Sequence, residues 1–226
     1  IGTDVTGMAA LGNQFDGVRI QSSPANIIGV DAGSEGVGNV ISANMWGVAI
    51  SGASSVQNLV QGNLIGLAAD GLSPLGNTAD GVLLLDGAAD NTVGGHTPVK
   101  ENEIAFNGED AVALAVDAGV DNYIDPNQIH DNVGLGTDLL EDGVTPNDLN
   151  DVDEGANDLQ NFPVLTGEQG AGGAGITIAG TLNSSPNRAF NLFFFYNREC
   201  DPSGYGEGEV YIGKAWGIYK DPLGGI

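Results

Sequence analysis

The opening stretch, IGTDVTGMAALGNQFDGV at residues 1–18, returns as IGLAADGLSPLGNTADGV at residues 65–82. The likeness continues further along the chain, where NIIG at residues 26–29 matches NTVG at residues 91–94. The offset between matched positions stays nearly constant, with one residue inserted in the second copy. An internal repeat of this period indicates stacked supersecondary units, each completed by its neighbours.

Each copy of about 64 residues carries short apolar runs closed by Gly, Asn, Asp or Ser, such as VRI at residues 18–20 and VLL at residues 82–84. Runs of this kind are typical of strands and are too short for helices. We therefore predict an all-β fold, a right-handed parallel β-helix (solenoid) whose inward residues form a continuous apolar column. If one coil takes roughly 20 to 22 residues, each copy holds about three coils.

Asparagine recurs at matched positions of the two copies. An Asn residue tolerates the left-handed backbone conformation at a corner, and its amide can hydrogen-bond to neighbouring backbone groups. Stacked from coil to coil, such amides can form ladders. We interpret these residues as turn formers without a role in ligand binding.

The chain is strongly acidic, because 6 Lys and Arg residues stand against 30 Asp and Glu residues, for a net charge of −24. Nucleic acid is therefore not an expected partner, since binding to phosphates depends on basic side chains. An anionic membrane surface is disfavoured for the same reason. The acidity fits either calcium binding or life in high salt, where dense carboxylates keep a surface solvated.

The apolar and sulfur-containing residues exclude two further features. No apolar run has the length that a membrane-spanning segment needs, so we expect no direct membrane insertion. Cys200 is the single cysteine, which excludes an intrachain disulfide.

The sequence starts at Ile1 within a repeat, without a segment that could cap the solenoid. We expect a fragment whose uncapped end could support self-assembly.

The composition divides the chain into three parts. Residues 1–140 are the solenoid repeats, and residues 141–160 form an acidic linker with few strand formers. In residues 161–226 the apolar runs have a different spacing. We predict a C-terminal antiparallel β-sandwich-like segment in this third part, with strands at residues 175–180, 189–196 and 209–213. These strands are too few to close a sandwich. A small sheet docked on the solenoid is the alternative.

Five motifs carry a resemblance to a known family. They are NQIHDN at 127–132, GLGTDL at 134–139, DGVTPND at 142–148, NDLQNFPVL at 157–165 and CDPSGYGEGE at 200–209. Together with the repeats, they resemble bacterial secreted and cell-surface right-handed parallel β-helix proteins, in which an Ig-like β-sandwich follows the solenoid. The resemblance implies the architecture and an extracellular or cell-surface location. The ending WGIYK at residues 216–220 departs from the Thr-rich strand that usually follows in this family.

The acidic linker contains a candidate metal site. Hard cations such as Ca²⁺ take six to eight oxygen ligands from a flexible loop, and alternating acidic residues around Gly155 supply such oxygens. The spacing is not that of an EF-hand. The alternative is a solvated acidic hinge. The predicted ligands are Asp148, Asp151, Asp153, Asn157 and Asp158.

Catalysis on the solenoid has thin support in the sequence. Lyases of this fold resemble one another in using an Arg or Lys residue as the catalytic base. The solenoid contains only two such residues, Arg19 and Lys100. We expect Arg19 to point outward near Asp16, and its counterpart in the second copy is Leu83. A hydrolase needs converging carboxylates, whereas Asp16 and Asp80 precede glycines and are typical of turns.

The remaining reactive side chains are isolated in the sequence. Cys200 has no His or Lys nearby to lower its pKa, so nothing indicates a nucleophile. His96 and His130 lack metal-ligand spacing, and we expect both at the surface.

These observations favour a non-catalytic extracellular repeat protein. It would act as an adhesin or surface-structural module, or as a carbohydrate-binding scaffold, with a polysaccharide or cell-surface component as partner. The rival is a polysaccharide-active enzyme, a pectate-lyase-like lyase or a glycoside hydrolase, on the same solenoid. A groove that gathers acidic, basic and aromatic residues would favour the enzyme, and a featureless face with Asn ladders would favour the scaffold.

Overall fold

The computed structural model describes residues 1–31, 38–170 and 175–219, without the side chains of residues 168–170 and 218–219. Thirteen short strands come first. They are β1 (Val18–Gln21), β2 (Ile27–Gly29), β3 (Val40–Ile41), β4 (Val48–Ser51), β5 (Leu59–Gln61), β6 (Leu64–Ile65), β7 (Val82–Leu85), β8 (Thr92–Val93), β9 (Glu103–Ala105), β10 (Val112–Ala115), β11 (Tyr123–Ile124), β12 (Gln128–His130) and β13 (Thr137–Leu140). A short turn at Ala156–Leu159 precedes four longer strands, β14 (Val164–Gly170), β15 (Ile176–Thr181), β16 (Ala189–Tyr196) and β17 (Val210–Tyr219).

The first thirteen strands form three parallel sheets in which each strand pairs with the third strand after it. The first sheet has the order β1-β4-β7-β10-β13, the second β2-β5-β8-β11 and the third β3-β6-β9-β12. Each coil thus adds one strand to every sheet, and the backbone of one coil pairs with the coil on either side. The prediction of a parallel β-helix is confirmed.

The coils are longer than predicted. Val18 pairs with Val48, Val48 with Val82, Val82 with Val112, and Val112 with Thr137, and each of these steps is one coil. The two steps from Val18 to Val82 already span one repeat copy, so each copy holds two coils and the expectation of three shorter coils is wrong. Each coil carries three short strands joined by corners of unequal length, so the spacing between neighbouring apolar runs reflects the faces of one coil rather than the length of a coil.

The solenoid interior is a column of aliphatic side chains from all three sheets. Twelve large side chains, eleven of them in this column and one, Leu67, outside it, are essentially inaccessible to solvent, and burying each contributes about 1.5 to 3 kcal/mol relative to exposure. These side chains are Ile41, Val48, Ile50, Val60, Ile65, Leu67, Val82, Leu84, Val93, Ile104, Val112 and Leu114.

Asparagine ladders run along all three corners. In each ladder, the Nδ2 of one Asn donates to the Oδ1 of the Asn one coil further, at 2.8 to 3.2 Å. The ladders consist of Asn44, Asn77, Asn107 and Asn132, of Asn26, Asn58, Asn91 and Asn122, and of Asn39, Asn63, Asn102 and Asn127. Most of these amides are buried and fully bonded, so they are more than turn formers.

The left-handed backbone at these corners belongs to the residue before the ladder Asn rather than to the Asn itself. Ala43, Gln57, Phe106 and Asp121 have φ values between 57° and 62°. The prediction that the Asn takes this conformation is therefore wrong at these corners. The preceding residue bends the chain, which leaves the Asn side chain pointing inward to bond the next coil.

The last four strands form two antiparallel hairpins, β14–β15 and β16–β17. Strand β16 coincides with the predicted strand at residues 189–196, and the whole segment is sandwich-like and antiparallel as predicted. The second hairpin also docks on the solenoid. His96 contacts the rings of Phe193 and Trp216 at 5.6 Å, and the Ile129 N–H donates to the Gly208 carbonyl at 3.1 Å.

Candidate metal centre

The linker between the solenoid and the hairpins folds through a series of tight turns. Asn150, Asp151, Asn157 and Asp158 all have left-handed backbone conformations, with φ values of 68°, 57°, 49° and 55°. Asn and Asp tolerate this conformation better than other residues with side chains. The turns bring acidic side chains that are neighbours in sequence onto a common point.

Three of the five predicted ligands converge. Asp148, Asp151 and Asp153 each offer one carboxylate oxygen, and the three oxygens lie within 4.8 Å of one another. Oxygen atoms at such separations can share one cation, because Ca²⁺ holds its ligands at about 2.3 to 2.6 Å. This acidic triad can therefore hold a metal ion.

Hydrogen bonds from neighbouring groups hold two members of the triad, Asp151 and Asp148, in place. Asp151 is buried, and its carboxylate accepts from the Asn161 N–H at 2.7 Å and from the Ser184 hydroxyl at 2.6 Å. The Asp148 carboxylate accepts from the Val152 N–H at 3.2 Å. Asn161 also donates to the Asp148 carbonyl at 2.8 Å. Asn161 and Ser184 stand outside the acidic cluster in the sequence, and no sequence signal marks them as its supports.

Asp153 is the least satisfied member of the triad. Its Oδ1 is buried and accepts no hydrogen bond in the described part of the chain. Burial and the neighbouring carboxylates of Asp148 and Asp151 raise the pKa of Asp153. No Lys or Arg among the described residues forms an ion pair with the triad. A cation is the counter-charge that this arrangement lacks.

The other two predicted ligands have different partners. Asn157 continues an asparagine ladder, since its Oδ1 accepts from the Asn122 N–H at 2.9 Å and its Nδ2 donates to the Asn122 carbonyl at 2.7 Å. Asp158 forms an ion pair with Arg188 at 3.2 Å. The structure thus brings three of the five predicted ligands together, and it gives Asn157 and Asp158 hydrogen-bond or ion-pair partners elsewhere.

A second group of carboxylates lies along the first sheet. Asp80 is 1% exposed, its Oδ1 accepts from the Asp110 N–H at 3.0 Å, and its Oδ2 has no partner in the described chain. Burial, together with Asp110 and Glu109, raises the pKa of Asp80 to about 7. The sequence pattern indicates a turn former at Asp80 and gives no sign of this burial, which the adjacent coil produces.

The candidate catalytic side chains do not form one group: Arg19 lies on the first coil, whereas His130 and Cys200 line one cleft between β12 and the loop that joins β16 to β17. Arg19 is exposed and pairs with Asp16 at 3.2 Å, as predicted. Cys200 is an exposed free thiol. His130 is half-buried between Glu103 at 3.5 Å and Asp131 at 2.8 Å, which raises its pKa, so its prediction as a surface residue is wrong.

Comparisons of the chain with protein-family models, with curated proteins and with solved structures found no match. The parallel β-helix therefore rests on the observed sheets, and the likeness to bacterial surface proteins stays a prediction. No described residue belongs to a helix with the length and apolarity needed to cross a membrane.

Proposed function

We propose that the chain is a non-catalytic extracellular scaffold, of the adhesin, surface-structural or carbohydrate-binding kind, whose junction between solenoid and hairpins binds Ca²⁺. The convergence of Asp148, Asp151 and Asp153 carries the cation part of this proposal. An ion bound there would connect the linker, which contains the triad, to the hairpin region. The connection runs through Asp151, which accepts hydrogen bonds from Asn161 at the start of that region and from Ser184 in its middle.

The chemistry of the donors favours calcium over a transition metal. The three triad side chains offer only carboxylate oxygens, the hard ligands that Ca²⁺ prefers, and no His or Cys belongs to the cluster. Three carboxylates leave room for the backbone carbonyls and waters that complete a six- to eight-fold shell. The turns at Asn150 and Asp151 make an irregular loop, and calcium accepts irregular ligand arrangements, whereas magnesium requires nearly ideal octahedral geometry.

The scaffold part rests on the outer face of the first sheet. The matched positions on this face, which point away from the core column, are Arg19, Ala49, Leu83, Ala113 and Asp138. Of these, only Arg19 is exposed, and Leu83 and Ala113 pack with Trp46 and Leu85. The basic and the acidic member stand at opposite ends, four strand spacings or about 19 Å apart. A lyase base and a carboxylate cluster do not meet on this face, so the polysaccharide-active alternative gains no support there.

Thermal unfolding in calcium, in magnesium and in chelator at constant ionic strength tests the cation. If calcium binds the native state only, a concentration of 100 times Kd stabilises by about 2.7 kcal/mol. For a chain of this size, that raises Tm by about 5 to 10 °C. We expect magnesium to give a smaller rise.

Two matched variants complete the test. Asp153→Asn removes one charge from the triad at the side chain with the fewest hydrogen bonds, and we expect it to abolish most of the calcium effect. Asp121→Asn removes one charge from an exposed solenoid corner and should leave the effect intact. An equal calcium effect in both variants would contradict the site, and so would stabilisation by sodium chloride alone.

A further inference from the structure

A cavity of about 650 Å³ lies where the last coil, the linker and the hairpins meet. Leu135 and Leu139 form its solenoid wall, Gln160 lines it from the linker, and Phe162, Phe193 and Tyr205 form its hairpin side. The volume falls in the roughly 300–1,000 Å³ range of small-molecule sites, which occur preferentially between structural units. The cavity is separate from the carboxylates of the acidic triad, none of which lines it.

The lining of the cavity is uncharged. None of its twenty-three residues is Asp, Glu, Lys, Arg or His, although charged residues make up 16% of the chain. An ionised ligand would lose its hydration there without gaining a counter-charge, which is costly. The cavity therefore selects against both carboxylates and amines.

The polar groups of the cavity fall into two classes. The inner amides are already bonded within the protein: Asn122 donates to the Ala88 carbonyl at 2.9 Å, and Asn161 donates to the Asn183 carbonyl at 2.6 Å. Thr137, Asn191 and Tyr205 are exposed, and their side chains make no hydrogen bond in the described chain. The interior thus offers apolar and aromatic surface, and the rim offers free hydroxyl and amide groups.

We propose that this cavity is a binding site for an uncharged, mostly apolar small molecule that carries a hydroxyl or amide group at one end. The apolar body lies against Phe162 and Phe193, and the polar end lies at the rim with Asn191 or Tyr205. This binding function goes beyond the scaffold and the calcium site and does not depend on either. Aromatic walls favour such a ligand because they add to apolar burial without requiring charge.

Fluorescence titration of the full chain with Nile red, an uncharged dye, tests the site in calcium-containing buffer. We expect one dye per chain. A matched pair of competitors, 1-octanol and octanoate, then tests the ligand class. The alcohol should displace the dye at a concentration at least about tenfold lower, since the carboxylate loses hydration without a partner. Equal displacement by both would overturn the assignment to uncharged ligands.

Two variants locate the binding. Leu165 lines the cavity and is 65% exposed, so Leu165→Glu places a charge at the cavity without emptying the core. Leu72 is a similarly accessible leucine in a solenoid loop, and Leu72→Glu is the control. We expect dye affinity to fall at least tenfold in the first variant only, with Tm unchanged in both. Equal binding by the two variants, or dye release coupled to dimerisation in sedimentation equilibrium, would refute the proposal.

Discussion

The solenoid and the hairpins differ in how completely they bury their apolar side chains. Each solenoid coil covers the next, so side chains such as Ile65 and Ile104 have no exposed surface. The hairpins have only Leu182 among their buried described hydrophobic residues, and Ile212 and Trp216 remain about half exposed. Stacked parallel strands make a core from repetition alone, whereas a two-stranded hairpin is marginal without a partner surface.

The hairpins are therefore held by contacts with the solenoid and the linker. The Glu207 carboxylate accepts from Asn132 Nδ2 at 2.9 Å and from the Asn132 N–H at 3.1 Å, which is the bonding pattern of the next Asn in the ladder. Asn157 follows Asn122 at another corner, where its Oδ1 accepts from the Asn122 N–H and its Nδ2 donates to the Asn122 carbonyl. Both residues close a ladder at the end of the last complete coil. The comparison predicts that damage to the solenoid spreads to the hairpins, while damage to the hairpins stays local.

The largest expected effect comes from a matched truncation in the two regions. Ile104→Ala empties a fully buried position in the solenoid and should cost about 3 kcal/mol or more in the free energy of unfolding. Ile212→Ala truncates a half-exposed side chain in β17 and should cost less than about 1 kcal/mol. Urea unfolding of both variants measures the difference. Equal losses would mean that the hairpins have a core of their own.

The second-largest expected effect concerns Asp80, a buried carboxylate in the solenoid. The pKa of Asp80 is raised from 3.8 to about 7, so between these values the folded protein binds more protons than the unfolded chain. Stability at this site therefore falls as pH rises from about 4 to about 7 and then levels off. Asp80→Asn should flatten this dependence and stabilise the protein at pH 8 by about 1 to 3 kcal/mol.

Urea unfolding across this pH range measures the change. Asp121→Asn is the control, because this exposed carboxylate forms no hydrogen bond through its side chain in the described chain. The control should keep the slope of the parent protein. A parent protein whose stability rises between pH 4 and pH 7, with an unchanged Asp80→Asn profile, would contradict the assignment.

The smallest expected effect is local. Glu207→Ala removes the acceptor that ends the ladder and leaves the Asn132 N–H without a partner, although Asn132 Nδ2 still donates to the Ile104 carbonyl; this should cost about 1 to 2 kcal/mol. Glu207→Gln keeps one acceptor oxygen and should cost less. Hydrogen exchange should become faster in β16 and β17 and stay unchanged in β4 to β10. Faster exchange throughout the solenoid would show that the two regions unfold as one unit.

Much of this fold could be predicted from the sequence because repetition is a strong signal. The 64-residue repeat, although not its division into two coils, and the strand at Ala189–Tyr196 are examples. The length of a single coil is not visible in the sequence because one corner alternates in length from coil to coil. Its ladder steps from Asn39 to Asn63, Asn102 and Asn127 cover 24, 39 and 25 residues. Two successive steps nearly always sum to the same length, so only the double coil recurs visibly.

The candidate site was predictable in part for a related reason. Asp148, Asp151 and Asp153 are close in sequence, and a turn-rich linker brings them together. The partners that decide the roles of the other residues are distant: Asn157 bonds Asn122, 35 residues away, and Glu207 bonds Asn132, 75 residues away. Composition reveals acidic character, but only the stacked fold determines which acidic or amide group ends a ladder and which remains for a cation.

Hydrogen exchange of the full chain with calcium and with chelator tests the central claim most directly. If a cation at the acidic triad orders the junction between a self-sufficient solenoid and dependent hairpins, calcium should slow exchange in residues 148–161 and in β14 to β17. The amides of β4 to β10 should exchange at the same rate in both conditions. Identical exchange in residues 148–161 with and without calcium, or equal slowing throughout the solenoid, would contradict the account.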